Sequence, residues 1–191
     1  YLVYSSVNKE AVVIDPGAEG EKVLATAQEL GLNLRYIINT HGHGDHIGAN
    51  GYIKDHTGAP ILVHQADASM LVSASANLSA WMSEPITGPP ADRLLTANEE
   101  ICCKEMSFKV LVTPGHTPGS ISLLTSGMVF TGDALFKGSV GRTDFPGGSL
   151  TELIAGIRNN LFNLPADTIV YPGHGPATTI GYEKAHNTFL K

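Results

Sequence analysis

Several things are scarce in this chain, and each scarcity excludes a class. Its 191 residues hold only two cysteines, Cys102 and Cys103, which are neighbours in an apolar stretch. On a strand they point to opposite faces, so no disulfide between them is expected and a reducing, cytoplasmic setting is. No apolar run approaches the ~20 residues that span a bilayer, and no charged segment leads into a signal-like apolar stretch, so a membrane partner is not expected. Lys and Arg number 12 against 18 Asp and Glu, a net charge of −6, and the basic residues are scattered rather than striped. That balance argues against nucleic acid as a partner. There is no Gly-x-Ser-x-Gly elbow, no phosphate loop followed by Lys-Ser/Thr, and no dinucleotide-binding glycine fingerprint. With 42% hydrophobic and 16% charged residues the chain reads as an ordinary globule, and its length fits one domain over 1–191.

What is abundant is histidine, in one place. His41-Gly42-His43-Gly44-Asp45-His46 puts three imidazoles and a carboxylate into six residues. A solvated polar turn does not need that density, whereas a cation uses it, because neutral imidazole and carboxylate are the ligands of zinc, iron and manganese. The apolar Leu34–Asn39 before it reads as a buried strand and the residues after it as a helix, so the cluster occupies a strand-to-helix loop. A full site needs partners elsewhere. Candidates are His116 in Thr-Pro-Gly-His-Thr-Pro-Gly, Asp133 in Phe-Thr-Gly-Asp, and His174 in Tyr-Pro-Gly-His-Gly, each after a β-rich apolar run and beside glycine.

In this order the motifs resemble the metallo-β-lactamase superfamily over nearly the whole chain. Residues 132–148, from Gly-Asp-Ala-Leu-Phe-Lys-Gly to Phe-Pro-Gly-Gly, resemble the short single-domain relatives of glyoxalase II, the hydroxyacylglutathione hydrolases. Gly141-Arg142-Thr143-Asp144-Phe145 is also shared with persulfide dioxygenases. The resemblance implies an α/β (α+β) fold, a four-layer αββα sandwich. It implies that His41, His43 and His116 hold one metal, that Asp45, His46 and His174 hold a second, and that Asp133 bridges them. The cofactors would be two divalent ions, zinc first, with iron or manganese suiting the same ligands. Asp45 and Asp133 would be the catalytic carboxylates around a metal-bridging hydroxide acting as nucleophile. The implied substrate is a small acyl thioester such as S-lactoylglutathione, and a thiol with pKa near ~8.5 leaves without strong acid assistance. Arg142, and secondarily Lys137, would bind the substrate carboxylate; an Arg142–Asp144 structural pair is the alternative. Two other functions stay open: a single-iron persulfide dioxygenase using His41, His116 and Asp133, and a metal-binding module without catalysis. Against the family pattern the chain is expected to lack a first N-terminal strand and the helical C-terminal domain of larger glyoxalase II enzymes. Oligomeric state is not readable.

Along the chain, residues 2–5 and 11–14 form a hairpin, and Asp15-Pro16-Gly17 ends it. Asp15 caps that turn, or else orients a ligand. Helices are expected over 21–30, about 48–57, 65–72, 150–161 and 180–190, and strands over 34–39, 61–64, 93–95, 101–103, 108–112, 121–124, 128–131 and 168–171. His56, His64 and His186 read as surface or capping residues. Residues 73–92, rich in Ser, Ala, Pro and Gly around Trp81, are irregular. Trp81 and Met82 are expected to cover the core, with a lid over the site as the alternative.

Overall fold

The computed structural model describes residues 1–191, which pack as two compact units: Tyr1–Leu95 with Cys102–Ser107, and Thr96–Ile101 with Phe108–Lys191. No helix is long and apolar enough to cross a membrane.

The first unit carries a five-stranded sheet ordered β1 (Leu2–Tyr4), β2 (Glu10–Ile14), β3 (Asn33–Ile38), β4 (Ile61–His64), β5 (Arg93–Leu95). β1 and β2 are antiparallel, and every later neighbour is parallel. Parallel strands need crossovers, and α1 (Gly20–Glu29) supplies the first, α2 (Gly44–Ile47) and α3 (Asn50–Thr57) the second. Continuous apolar runs such as Ala11-Val12-Val13-Ile14, all buried, are what a parallel sheet covered on both faces requires. Ile37, Ile61 and Val63 from the sheet pack with Ala27, Ile47 and Ile53 from the helices. Each large side chain so buried contributes about 1.5–3 kcal/mol. The core therefore fixes where β3 ends and the histidine loop begins.

A six-stranded sheet is made by β6 (Glu100–Cys103), β7 (Met106–Val112), β8 (Ile121–Thr125), β9 (Met128–Gly132), β12 (Ile169–Pro172) and β13 (Thr178–Thr179), in spatial order β13-β12-β9-β8-β7-β6; the second unit holds all of it but the residues of β6 and β7 within Cys102–Ser107. A separate hairpin, β10 (Leu135–Phe136) with β11 (Ser139–Val140), follows β9. β9 and β12 are parallel, so they end side by side, with Pro172 registered on Gly132. α4 (Leu150–Gly156) is capped by the Ser149 hydroxyl, which accepts from the Glu152 N–H, and continues through a wider turn at Ile157–Leu161. Leu153, Ile157 and Leu161 from that helix bury against Val129 and Val170. α5 (Ile180–His186) is capped in the same way by Thr179.

Several local expectations change. The helix expected at 48–57 has a forerunner, because α2 begins at Gly44, inside the histidine cluster; Asp45 and His46 ride on a helical turn rather than a loop. Gln65–Val72 is 3-10 helix. The closing helix breaks at Asn187, whose backbone is extended, before a 3-10 turn at Thr188–Leu190. Cys102 is exposed and Cys103 buried, and both are free thiols.

Candidate metal centre

In the first unit the donors gather where the parallel strands β2, β3 and β4 end, the edge at which open α/β sheets place ligands. Asp15 follows β2, the histidine cluster follows β3, and Asp67 sits just past β4. The Asp15 carboxylate accepts from the Thr40 N–H at 2.7 Å and from the Thr40 hydroxyl at 2.6 Å, and its Oδ2 lies 3.0 Å from His46 Nδ1. Facing a carboxylate, His46 Nδ1 carries the proton and Nε2 keeps the lone pair that a metal uses. The same reasoning reaches His41. The Thr40 hydroxyl spends its hydrogen on Asp15, so at 3.2 Å it accepts from His41 Nδ1, which leaves the lone pair on His41 Nε2. Asp67, wholly buried, accepts from the Gly42 N–H at 3.0 Å and fixes the backbone between His41 and His43.

His41, His43 and His46 are buried, and the His41 ring lies 4.8 Å from that of His43 and 4.1 Å from that of His46, centroid to centroid. The donor atoms of Asp15, His41 and His46 fall within 4.8 Å of one another. Asp45 is half exposed, with Oδ2 3.8 Å from His46 Nε2. A Cβ on Gly17 would overlap the Asp45 carbonyl oxygen, so only glycine lets the turn after β2 approach the ligand helix this closely.

In the second unit the three donors come from three strand ends. His116 follows β7, Asp133 follows β9 and His174 follows β12. The Gly173 N–H donates to the Gly132 carbonyl at 2.8 Å, which extends the parallel β9–β12 pairing to the residues before Asp133 and His174. Asp133 Oδ2 stands 3.6 Å from His116 Nε2 and 3.7 Å from His174 Nε2. Those separations are too long for hydrogen bonds. Each separation suits a pair of ligands sharing an ion, since bonds of 2.0–2.2 Å in tetrahedral geometry set neighbouring ligand atoms about 3.4 Å apart. His116 Nδ1 is 2.7 Å from the Arg142 carbonyl oxygen, a bond that again aims Nε2 at the site. A Cβ on Gly141 would overlap the Asp133 carbonyl oxygen, so glycine is required there as well. The donors are all His or carboxylate, and His41, His46 and His116 have their outer nitrogens fixed by Thr40, Asp15 and the Arg142 carbonyl, a set that fits divalent metal.

Two readings need correcting. Asp15 is not chiefly the cap of its own turn; its carboxylate reaches Thr40, just past the neighbouring strand β3, and His46 on α2, contacts between sequence-distant residues that local pattern does not reveal. Trp81 does not cover the core: it is 92% exposed, and Met82 is exposed too. The segment is held instead by Asn77, whose amide donates to the Met70 and Ile86 carbonyls, and by buried Ser79, while the Gly44 N–H donates to the Asn77 carbonyl at 2.8 Å. Ile86, not Trp81, packs against the core.

Arg142 and Asp144 form a two-bond pair at 2.9 and 2.7 Å, both exposed, and the guanidinium lies 4.3 Å from the Phe145 ring centroid. Their hydrogen bond raises the Arg142 pKa and holds the Asp144 carboxyl below its usual range. Lys137 Nζ lies 5.6 Å over the Tyr182 ring. His64 caps the 3-10 turn after β4, its Nδ1 accepting from the Ala66 N–H. No local pattern in the sequence singles out Asp67 or Thr40. The available signal for Asp67 was an acidic residue just past a strand adjacent to the one feeding the ligand loop.

A family model of the metallo-β-lactamase superfamily matches residues 1–174, a span that ends on His174. The chain belongs to the metallo-β-lactamase superfamily, a superfamily of metallohydrolases, and has its α/β fold. It is 40% identical over 186 residues to the hydroxyacylglutathione hydrolase GloC of Haemophilus influenzae, covering 95% of this chain and 88% of the relative. Among solved structures it is similar to the BLEG-1 B3 metallo-β-lactamase, at TM-score 0.95 and 41% identity over 100% of this chain and 92% of the other. TTHA1623 in a di-iron-bound form matches at TM-score 0.89 and 39% identity, over 100% and 93%.

Proposed function

We propose that the chain is a dinuclear metallohydrolase of acyl thioesters, of the S-lactoylglutathione type, acting in the cytoplasm without nucleic-acid or membrane partners. In this reading His41, His43 and His116 hold one ion, Asp45, His46 and His174 the other, and Asp133 contributes to both. The observation that carries it is Asp133 Oδ2 lying near two imidazole Nε2 atoms, each at the separation of two ligands on one ion and beyond hydrogen-bond reach. Two divalent ions held there would supply a water acidic enough to act as nucleophile near neutral pH and would polarise the carbonyl under attack.

The protein's part is positional. Asp15, Thr40 and the Arg142 carbonyl fix which nitrogen of His46, His41 and His116 would face the metal, so these three imidazoles are oriented before loading. A thioester is favoured because its thiolate departs unaided, whereas an amide nitrogen needs a proton and no donor stands out. The identity to GloC supports the same substrate class, and the di-iron form of TTHA1623 supports two metals while keeping iron beside zinc as the cofactor. Arg142 is the contact for a substrate carboxylate, reached by exchanging Asp144 for the substrate; Lys137 is the secondary contact.

The test runs zinc- and iron-loaded protein against S-D-lactoylglutathione, a cephalosporin and glutathione persulfide, following thiol release, β-lactam opening and dissolved oxygen. Thiol release without oxygen uptake is expected. Oxygen uptake with the persulfide and no thiol release from any thioester would replace this reading with the dioxygenase. Efficient β-lactam opening, the activity in the name of BLEG-1, would replace it with an amidase.

A further inference from the structure

Glu183, on α5, is a wholly buried carboxylate. Its oxygens accept from three neutral groups: the Thr178 hydroxyl at 2.6 Å on Oε1, and the Gly138 N–H at 2.9 Å and the Asn187 amide at 2.8 Å on Oε2. Removing a carboxylate from water is costly and persists only where hydrogen bonds replace the water. Two of these bonds lead to one place. Gly138 lies in the turn between β10 and β11, and the Asn187 amide also donates to the Ser139 carbonyl at 3.0 Å. That hairpin has two residue pairs, Leu135 with Val140 and Phe136 with Ser139. An isolated hairpin so short does not hold its own shape in water. Glu183 and Asn187 clamp its tip.

The hairpin links Asp133 to Arg142, and along its length it touches all three donors of its unit. Asp133 is its entrance. The Phe136 ring meets the His174 ring edge-on at 6.4 Å between centroids, and past the hairpin's exit the Arg142 carbonyl accepts from His116 Nδ1–H.

We propose that Glu183 is a positioning residue for the metal centre, acting through the β10–β11 hairpin on Asp133, His116 and His174 without touching any of them. This rests on the metal reading above. The requirement is for acceptor oxygens rather than charge. Glu183→Gln can keep its carbonyl on Gly138 and Asn187 and donate to the Thr178 hydroxyl, which rotates to accept. Glu183→Ala removes all three acceptors. Thr179→Ala is the control, since it removes the cap of the same helix, whose hydroxyl accepts from the Tyr182 N–H, without touching the hairpin.

The experiment measures zinc affinity of the metal-stripped full chain by competition with a chromophoric chelator, together with its thermal midpoint. Glu183→Ala, and Asn187→Ala should Glu183→Ala not fold, should raise the zinc Kd about 10–100-fold, the range for outer partners of metal ligands. Glu183→Gln should stay within about 3-fold of wild type, and Thr179→Ala should lower the midpoint while leaving Kd in place. If Glu183→Ala or its Asn187 substitute lowers the midpoint as Thr179→Ala does and leaves Kd unchanged, the clamp is merely structural and the proposal fails. It fails equally if Glu183→Gln loses as much zinc affinity as Glu183→Ala. A wild type that takes up no zinc overturns the metal reading itself, an outcome distinct from normal wild-type binding with an unmoved Glu183→Ala.

Discussion

The two sets of donors are held in opposite ways. In the first unit four of them lie within His41–His46, and carboxylates arriving from neighbouring strand ends hold them, Asp15 through His46 and Thr40 and Asp67 through the Gly42 N–H. In the second unit three donors are spread from residue 116 to residue 174, and the backbone holds them: the Arg142 carbonyl on His116, the β9–β12 pairing behind Asp133 and His174. A donor held by a side chain loses its support to one substitution. A donor held by a carbonyl keeps that contact when the carbonyl's own residue is substituted, because every residue has one, and loses it only when the backbone behind it shifts.

The largest effect breaks the comparison at the residue that serves the centre most. Asp133→Ala should reduce thioester turnover by well over about 100-fold, beyond the range for outer partners, and should lower the bound metal per chain, as elemental analysis of the dialysed protein would report. A variant that keeps full metal and turnover would remove Asp133 from the site.

Next come the supports of the first unit. Asp15→Ala should weaken metal affinity about 10–100-fold, because His46 loses the partner that fixes its tautomer. Asp67→Ala should act on stability more than on binding. It strands a buried Gly42 N–H, a loss of about 1–3 kcal/mol visible as a lower denaturant midpoint. If the two variants behaved alike, the distinction between holding an imidazole and holding the backbone beside it would collapse.

The smallest effect sharpens the contrast in the second unit. Arg142→Ala deletes a guanidinium yet leaves the carbonyl that supports His116, so metal content and thermal midpoint should be unchanged and only KM for the thioester should rise, the mark of uniform binding. Loss of metal in a folded Arg142→Ala protein would mean that its side chain does what we assign to its backbone.

This division also sets what could be read from the sequence. The cluster at His41–His46 is dense enough to announce itself, and the strand ends at His116, Asp133 and His174 follow from apolar runs that stop at glycine. Contacts between parallel strands are another matter. Asp15 meets residues 25 and 31 positions away, and nothing in the Asp-Pro-Gly turn distinguishes a carboxylate that closes the turn from one that leaves it. Asp67 and Glu183 fall inside the helices expected over 65–72 and 180–190, where nothing local marks either carboxylate as buried. The start of α2 at Gly44 was hidden because glycine is a poor helix former, so a periodic pattern begins only after it. Trp81 misled for a general reason: large aromatics are usually buried, and this one is carried outward by a turn whose anchors are the small polar Asn77 and Ser79.

The central claim is that one carboxylate serves two ions. Anomalous diffraction at the metal edge, from crystals of the chain grown in excess zinc, tests it directly. Two peaks per chain are predicted, about 3.5–4 Å apart, one among His41, His43 and His116, the other among Asp45, His46 and His174, with the Asp133 carboxylate in contact with both. A single peak at saturating metal, with Asp45, His46 and His174 bare, would contradict it.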